Sequence, residues 1–166
     1  MSCHPEQVRY ILYAICGTFL VIFLISCGEE KNEEEKTKLT WTKLPAEATV
    51  EIARTKDERN KGLAFREYLQ KNSGMYFIME REEVQQFWMK DTRIPLSIAF
   101  INSENIIITI KNMRPYYTRG TSSDKPAKYA IEMDRGWFRK QGIRVDDKAL
   151  LENATVYFYR RTITDE

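Results

Sequence analysis

The sequence is poor in the residues on which much enzyme chemistry depends. Its 166 residues include one histidine, His4, and three cysteines, Cys3, Cys16 and Cys27, so neither type occurs after position 27. The rest of the chain therefore has no imidazole for a Ser-His-Asp triad, no Cys-His pair and no His- or Cys-ligated zinc. It also lacks the cysteines for an internal disulfide framework. Carboxylates, lysines and hydroxyls are the groups left for chemistry.

The sequence also has only a small excess of positive charge and few ligand-binding motifs. From residue 39 onward the chain has 22 basic and 18 acidic residues. This excess is too weak for the dense cationic face that nucleic acid requires, so we expect no nucleic-acid partner. The sequence contains no Gly-rich phosphate-binding loop and no carboxylate-rich calcium loop, so we expect no cofactor and no metal.

One long apolar run lies near the N-terminus. Residues 10–26 carry no charge. The run is short for a membrane-spanning helix, which needs about 20 residues, and is typical of an export signal. Its end, Leu24-Ile25-Ser26-Cys27, resembles a bacterial lipobox. We therefore expect residues 1–26 to be a lipoprotein signal peptide and the Cys27 thiol to carry palmitate-containing lipid; the alternative is an uncleaved membrane anchor.

An acidic stretch without apolar residues follows the cysteine. Residues 28–38 cannot repay the entropy of ordering, so we expect 27–38 to be the lipid attachment and a flexible tether. The glycine at position 28 favours the outer membrane over the inner. The sequence thus predicts a membrane-anchored lipoprotein that faces the periplasm or the cell surface, with its single folded domain at 39–166.

Residues 39–166 are predicted to form one mainly β domain. The sequence from Thr55 to Glu58 fits a capping box that begins a short helix ended by Gly62, and Asp134 is expected to cap a second short helix over 135–141. These two helices with about seven strands predict an antiparallel β-sandwich or a partly closed barrel. Alternation and turn signals place the strands at 48–52, 75–79, 84–90, 96–101, 106–110, 128–133 and 155–160.

Several separated motifs, in order over about residues 48–152, resemble a known family. They are Glu58-Arg59, Gly62-Leu63, Phe65-Arg66, Gly74-Met75, Phe77, Phe87-Trp88-Met89-Lys90-Asp91-Thr92, Ile94-Pro95-Leu96, Ala99-Phe100-Ile101, Tyr129-Ala130-Ile131-Glu132, Gly136, Gly142-Ile143 and Asp147. The bacterial and archaeal family that they resemble is domain of unknown function 192. The resemblance implies a jelly-roll-like β-sandwich, often exported, and supplies no catalytic residues. Ser97 stands where the family usually has an aspartate, and Asp146 where it has a turn glycine.

Six residues are candidates for one pocket: Arg66, Trp88, Lys90, Asp91, Thr92 and Glu132. In the predicted strand 84–90, Trp88 and Lys90 share a face, so an aromatic ring and an ammonium would meet the same ligand. The structural alternative is that Lys90 pairs with a carboxylate and Thr92 caps a turn. The Arg66 guanidinium has two interpretations: it binds an anionic ligand through two hydrogen bonds, or it forms a structural ion pair.

Glu132 alternates with two apolar neighbours, Ile131 and Met133. We expect it to face solvent on the outer sheet surface or to pair with Lys90 or Arg66. Burial near Asp91 would instead raise its pKa and permit acid-base chemistry.

Three functions stay open at this point. The preferred interpretation is a non-catalytic accessory module that binds a ligand or partner, such as an envelope glycan or protein. The second is a two-carboxylate hydrolase that uses Asp91 and Glu132 on an envelope glycan. The third is a structural lipoprotein with an exposed apolar patch and no pocket. The polar loop 114–126 would cover a cleft or be a mobile surface loop.

Overall fold

A computed structural model describes residues 38–164 of the chain. Strands account for 53% of these residues and helices for 8%. The predicted signal peptide, the lipid-bearing Cys27 and the tether up to residue 37 lie outside the described residues. The elements are β1 (Lys38–Ala53), α1 (Lys56–Lys61), β2 (Ser73–Glu83), β3 (Gln86–Phe87), β4 (Leu96–Ile101), β5 (Ile107–Met113), β6 (Thr121–Ser122), β7 (Ala127–Asp134), α2 (Trp137–Lys140), β8 (Lys148–Glu152) and β9 (Thr155–Thr164).

Seven of these strands form one mixed sheet, and two form a small ribbon. The sheet order is β5-β4-β7-β2-β1-β9-β8, and β3 pairs with β6. The mainly β class with two short helices is confirmed, and the arrangement fits a β-sandwich; the sheet does not close into a barrel. The expectation of purely antiparallel pairing is wrong, because β1 and β2 are parallel. The segment that contains α1 makes the crossover that a parallel pair requires.

The large sheet has apolar side chains on both faces. On one face, Ile131 and Met133 of β7 pack in a cluster with Phe158. On the other, Ala130 of β7 packs with Phe77 and Phe100 in what we call the second core, whose buried members are Ala53, Leu63, Met75, Phe77, Met79, Met89, Ile94, Leu96, Ile98, Phe100, Met113, Ala127 and Ala130. Because side chains alternate along a strand, Glu132 lies on the same face as Ala130 and the second core.

The helix signals had different outcomes. The capping box is present: Glu58 N donates to Thr55 Oγ1 at 3.2 Å, and Thr55 N donates to Glu58 Oε2 at 2.8 Å. The predicted cap at Asp134 is wrong, since this residue ends β7 in register with Leu96 and α2 follows Gly136. Within residues 38–164, neither helix has the length and apolar character needed to cross a membrane.

The segment 84–90 forms far less strand than predicted. Within this segment only the two residues of β3 belong to a strand, and the chain turns just after it at Asp91, which has a φ of 56°. β3 instead pairs with β6, which lies inside the polar loop 114–126. Phe87 anchors this ribbon to the sheet: its ring packs edge-on against Phe77 at 4.9 Å and near Phe100 at 5.6 Å between centroids. The ribbon therefore lies against the second core, on the face that carries Glu132.

Candidate functional site

A cavity of about 250 Å³ lies where α1, the β3–β6 ribbon and β7 meet. We call it the Glu132 cavity, after its one carboxyl group. Its lining is more polar than apolar: nine lining residues have polar or charged side chains, five are apolar and two are glycines. The lining residues are Arg59, Asn60, Lys61, Gly62, Leu63, Phe77, Met79, Gln85, Gln86, Phe87, Trp88, Lys90, Thr92, Thr118, Gly120 and Glu132.

Glu132 is a buried carboxyl group in an apolar setting. Its side chain is 4% exposed, and its neighbours on the adjacent strands are Met75 and Ile98. Within the part of the chain that the structure describes, the carboxyl makes no hydrogen bond or ion pair. Burial alone raises the pKa of Glu132 to about 8, with no contribution from a neighbouring charge. At neutral pH the group is therefore mostly an uncharged acid, which donates one hydrogen bond and accepts others.

This position corrects two expectations from the sequence. Glu132 does not face solvent, because the ribbon and the second core cover its face of the sheet. It is not the ion-pair partner of Lys90 or Arg66 either, since no cation contributes to its pKa. The remaining expectation, burial with a raised pKa, holds without Asp91, because desolvation alone is the cause.

Trp88 and Lys90 lie at the opening of the Glu132 cavity. The Trp88 side chain is 56% exposed, and Lys90 is also exposed, while Met89 between them is buried. Among the described residues Lys90 has no carboxylate partner, so the ion pair offered as its structural alternative does not form. Thr92 is buried and its Oγ1 donates to the Lys90 carbonyl at 3.2 Å, which closes the turn. Its hydroxyl thus has the structural role that the sequence allowed.

Asp91 and Arg66 lie apart from these residues. Asp91 is exposed and lines a neighbouring depression that also contains Lys61 and Trp88. Arg66 pairs with Glu51 at 2.6 Å between Nη2 and Oε2, at the edge of a different depression. Of the six candidate residues, the structure brings Trp88, Lys90, Thr92 and Glu132 together and leaves Asp91 and Arg66 outside.

Sequence reasoning missed the contribution of α1 to the cavity. Arg59 donates to the Ile78 carbonyl at 3.2 Å and pairs with Glu80 at 2.6 Å, so its charge is already matched. Lys61, also on the lining, makes no ion pair with any residue in 38–164. The signal that marked this region was the Glu58-Arg59 to Gly62-Leu63 motif of the family resemblance. Thr118, from the loop expected to cover a cleft, lines the cavity as well.

Ser97, the departure from the family pattern, lies away from the cavity. Its Oγ donates to Asn112 Oδ1 at 2.5 Å and accepts from Gly136 N at 2.8 Å. Ser97 shares a strand face with Ala99, which packs on the side of the sheet opposite the second core. Ser97 and the Glu132 cavity therefore lie on opposite faces of the sheet. Residues 38–164 also bring together no three His, Cys, Asp or Glu side chains in a metal-binding arrangement.

Known proteins provide a family and two structural relatives. A solved structure from Novosphingobium aromaticivorans, of unknown function, is 32% identical, with a TM-score of 0.60 over 66% of this chain and 81% of its own. A second, from Sinorhizobium meliloti and described as a candidate transcription regulator, is 27% identical, with a TM-score of 0.61 over 68% of this chain and 90% of its own. No curated protein matches. The sequence profile of DUF192, described as an uncharacterized ACR, matches residues 37–151, so the chain belongs to the DUF192 family.

Proposed function

We propose that this protein is a binding module that holds a small ligand in the Glu132 cavity and is displayed on the cell envelope by a lipid at Cys27. One observation carries the binding half of the proposal. Glu132 is buried, it faces an open cavity, and it has no partner among the described residues. No fully buried side-chain oxygen or nitrogen in residues 38–164 lacks a hydrogen-bond partner, so the carboxyl oxygens of Glu132 are open to the cavity. Strongly perturbed pKa values are concentrated at functional sites, and the raised pKa of a carboxyl group that faces a cavity therefore supports a ligand there.

The shape and lining of the cavity support a small organic ligand. Its volume of about 250 Å³ is slightly below the range of roughly 300–1,000 Å³ for drug-sized ligands. Leu63, Phe77 and Phe87 provide apolar contact area, and Glu132 provides a directional hydrogen-bonding group at the buried end. The nine polar or charged side chains on the lining provide further hydrogen-bonding and ionic contacts, which fix the orientation of a ligand.

The two-carboxylate hydrolase has less support. Glycosidases of the usual kind place two carboxyl groups on either side of one bond. Among the residues that line the Glu132 cavity, Glu132 supplies the one carboxyl group, and Asp91 lines the neighbouring depression instead. We therefore propose binding rather than hydrolysis.

Display on a membrane rests on the sequence before residue 38. The apolar run, the lipobox at Leu24–Cys27 and the acidic stretch after it support lipid attachment at Cys27. Two or three acyl chains anchor a protein stably, because each buried methylene contributes about 0.8 kcal/mol. Mass spectrometry of the native N-terminus tests this half: we expect an acylated Cys27, and an intact leader or a bare N-terminus would contradict it.

Native mass spectrometry of the purified protein tests the binding half. We would express it in a bacterial host with an intact envelope and look for a bound small molecule. Thr118 is exposed on the cavity lining, so Thr118→Trp should fill the opening without removing a buried contact. The matched control is Ser103→Trp, at an exposed turn that does not line the cavity.

The proposal predicts a bound molecule in the unaltered protein and in Ser103→Trp, and its loss in Thr118→Trp. Circular dichroism would check that both variants keep the β fold. An unaltered protein that carries nothing, or a Thr118→Trp variant that keeps its ligand, would contradict binding in this cavity.

A further inference from the structure

We infer that the ligand of the Glu132 cavity is a small hydroxylated acid, whose anionic group lies beside Lys61 and Lys90 and whose hydroxyl meets Glu132. The inference rests on the binding function proposed above and names the class of ligand. Sugar acids and sugar phosphates belong to this class. Three features of the cavity lead to it: the charges at its opening, the acid at its buried end and the size of the space between them.

The opening carries cationic charge that the protein leaves unmatched. Besides Glu132, the charged side chains on the lining are Arg59, Lys61 and Lys90. Arg59 is paired with Glu80 at 2.6 Å, so its charge is matched. Lys61 and Lys90 are both exposed, and neither forms an ion pair with a residue in the described range 38–164. Asp91 lines the neighbouring depression with both lysines, so its carboxylate offsets part of their charge. The two lysines leave an excess of positive charge, which favours an anion over a cation.

The buried end favours an uncharged group. Burial raises the pKa of Glu132 to about 8, so its carboxyl is mostly protonated at neutral pH. A protonated carboxyl donates one hydrogen bond and accepts another, which suits a hydroxyl group. A charged group would lose its hydration against Met75 and Ile98, which flank Glu132 on the neighbouring strands. The anionic end of the ligand therefore points outward.

Between these ends the cavity holds about one ring. Its volume is about 250 Å³, and the half-exposed Trp88 indole stands at its opening. An aromatic face provides a large, rigid contact area for the C–H surface of a ring-shaped ligand. A single saturated ring with hydroxyl groups and one acidic group therefore matches the geometry.

The test is an NMR titration of the full-length protein in detergent, which follows the Trp88 indole N–H. The probes are glucose, glucuronate, glucose 6-phosphate and glucosamine, which share one ring and differ in charge. Each lysine should contribute about fivefold to the affinity for an anion at contact distance in water. We therefore expect both acids to bind at least tenfold more tightly than glucose, and glucosamine to bind no better than glucose.

Lysine variants locate the anion. Lys61→Gln and Lys90→Gln should each weaken glucuronate binding about fivefold and leave glucose binding unchanged. The matched control is Lys140→Gln, an exposed lysine in the last turn of α2 that does not line the cavity. It should leave both affinities unchanged. Acids that bind tightly and do not respond to either lysine would overturn the proposed orientation.

Glu132→Gln tests the buried end, because an amide also donates and accepts without charge. It should bind glucuronate within about twofold of the unaltered protein at pH 6. Above pH 8 the unaltered protein should lose affinity for glucuronate as Glu132 ionises, and Glu132→Gln should not. Equal loss in both proteins would show that Glu132 does not meet the ligand.

The outcomes separate the ligand class from the binding function. If glucose binds as tightly as the acids, or if glucosamine binds most tightly, the class is wrong and the binding function stands. If none of the four probes shifts the Trp88 signal at millimolar concentration, the ligand class is overturned, and native mass spectrometry of the unaltered protein and Thr118→Trp decides the binding function separately.

Discussion

Ionisation of Glu132 should make the folded protein less stable as the pH rises from about 4.5 to about 8. In the unfolded chain this carboxyl titrates near its ordinary pKa of 4.5, and in the folded protein burial raises its pKa to about 8. The folded state therefore holds the proton more tightly than the unfolded state. This contribution to stability is fully present below pH 4.5 and is lost as the pH rises through 8.

The expected effect is large compared with the stability of a small domain. The two pKa values differ by about 3.5, and each pKa unit corresponds to about 1.4 kcal/mol. The full contribution is therefore about 5 kcal/mol, of which about 3.5 kcal/mol falls between pH 5 and pH 8. Whole domains of this size have unfolding free energies of roughly 5–15 kcal/mol.

Urea unfolding at pH 5, 6, 7 and 8 measures the effect, with Glu132→Gln as the comparison. Few other side chains titrate between pH 5 and pH 8, because residues 38–164 contain no histidine and no cysteine. Groups common to both proteins cancel in the difference. We expect the unaltered protein to lose about 3.5 kcal/mol relative to Glu132→Gln between pH 5 and pH 8. Parallel pH profiles for the two proteins would refute the reasoning.

Three further substitutions should lower the free energy of urea unfolding. Asp147 is 2% exposed and binds Arg160 through two bonds of 3.0 and 2.8 Å, so Asp147→Asn should cost about 2–3 kcal/mol. A methyl group at Gly74 would overlap the Glu132 carbonyl across the β2–β7 pair, so Gly74→Ala should cost about 3 kcal/mol or more. Ser97→Ala should cost about 1–3 kcal/mol, because it removes two buried hydrogen bonds, and it should leave ligand binding unchanged.

Each of these substitutions has a matched control on the surface. Glu67 pairs with Arg93 where both side chains are exposed, so Glu67→Gln should cost less than about 1 kcal/mol. Gly142→Ala meets no atom within 4 Å, and its positive φ of 70° should cost only about 1–2 kcal/mol. Ser103→Ala removes a side-chain hydrogen bond to Glu82 at an exposed turn, so it should cost less than about 0.5 kcal/mol. If a control substitution lowers the free energy of unfolding as much as the substitution it is matched to, the contact assigned to the latter would be contradicted.

The elements that the sequence predicted well are those with local signals. β4 begins at Leu96 and ends at Ile101, as its apolar run indicates, and the Thr55 capping box begins α1. Hydrogen bonds between residues three apart decide the cap, so the nearby sequence is sufficient to predict it. The sequence overestimated the length of β3, because the alternation of side chains continues to Lys90. The turn at Asp91 and the pairing of β3 with β6 are set by tertiary contacts.

Whether the face of the sheet that carries Glu132 is covered could not be predicted from the neighbouring residues. Alternation with Ile131 and Met133 puts its side chain on the opposite face from theirs, and it says nothing about what covers that face. The covering residues come from distant parts of the chain, such as Leu63 and Phe87. The sequence therefore predicted the strand and left the burial open.

The candidate site residues show the same difference between local and long-range signals. Trp88, Lys90 and Thr92 stay together because they are close in sequence. For Arg66 the sequence left open an anionic ligand or a structural ion pair, and the structure shows an ion pair with Glu51, fifteen residues earlier on β1. Which carboxylate an arginine selects depends on strand pairing, and the parallel pairing of β1 with β2 was itself missed.

Carbon-13 NMR of the Glu132 carboxyl group, titrated from pH 4 to pH 10, tests most directly whether an uncharged acid faces the cavity. Glu132→Gln identifies the resonance by its disappearance. A midpoint near 8 is the predicted result, because burial raises the pKa of this group from 4.5 to about 8. A midpoint near 4.5 would mean that the carboxyl is hydrated or paired, and the proposed binding site would lose its basis.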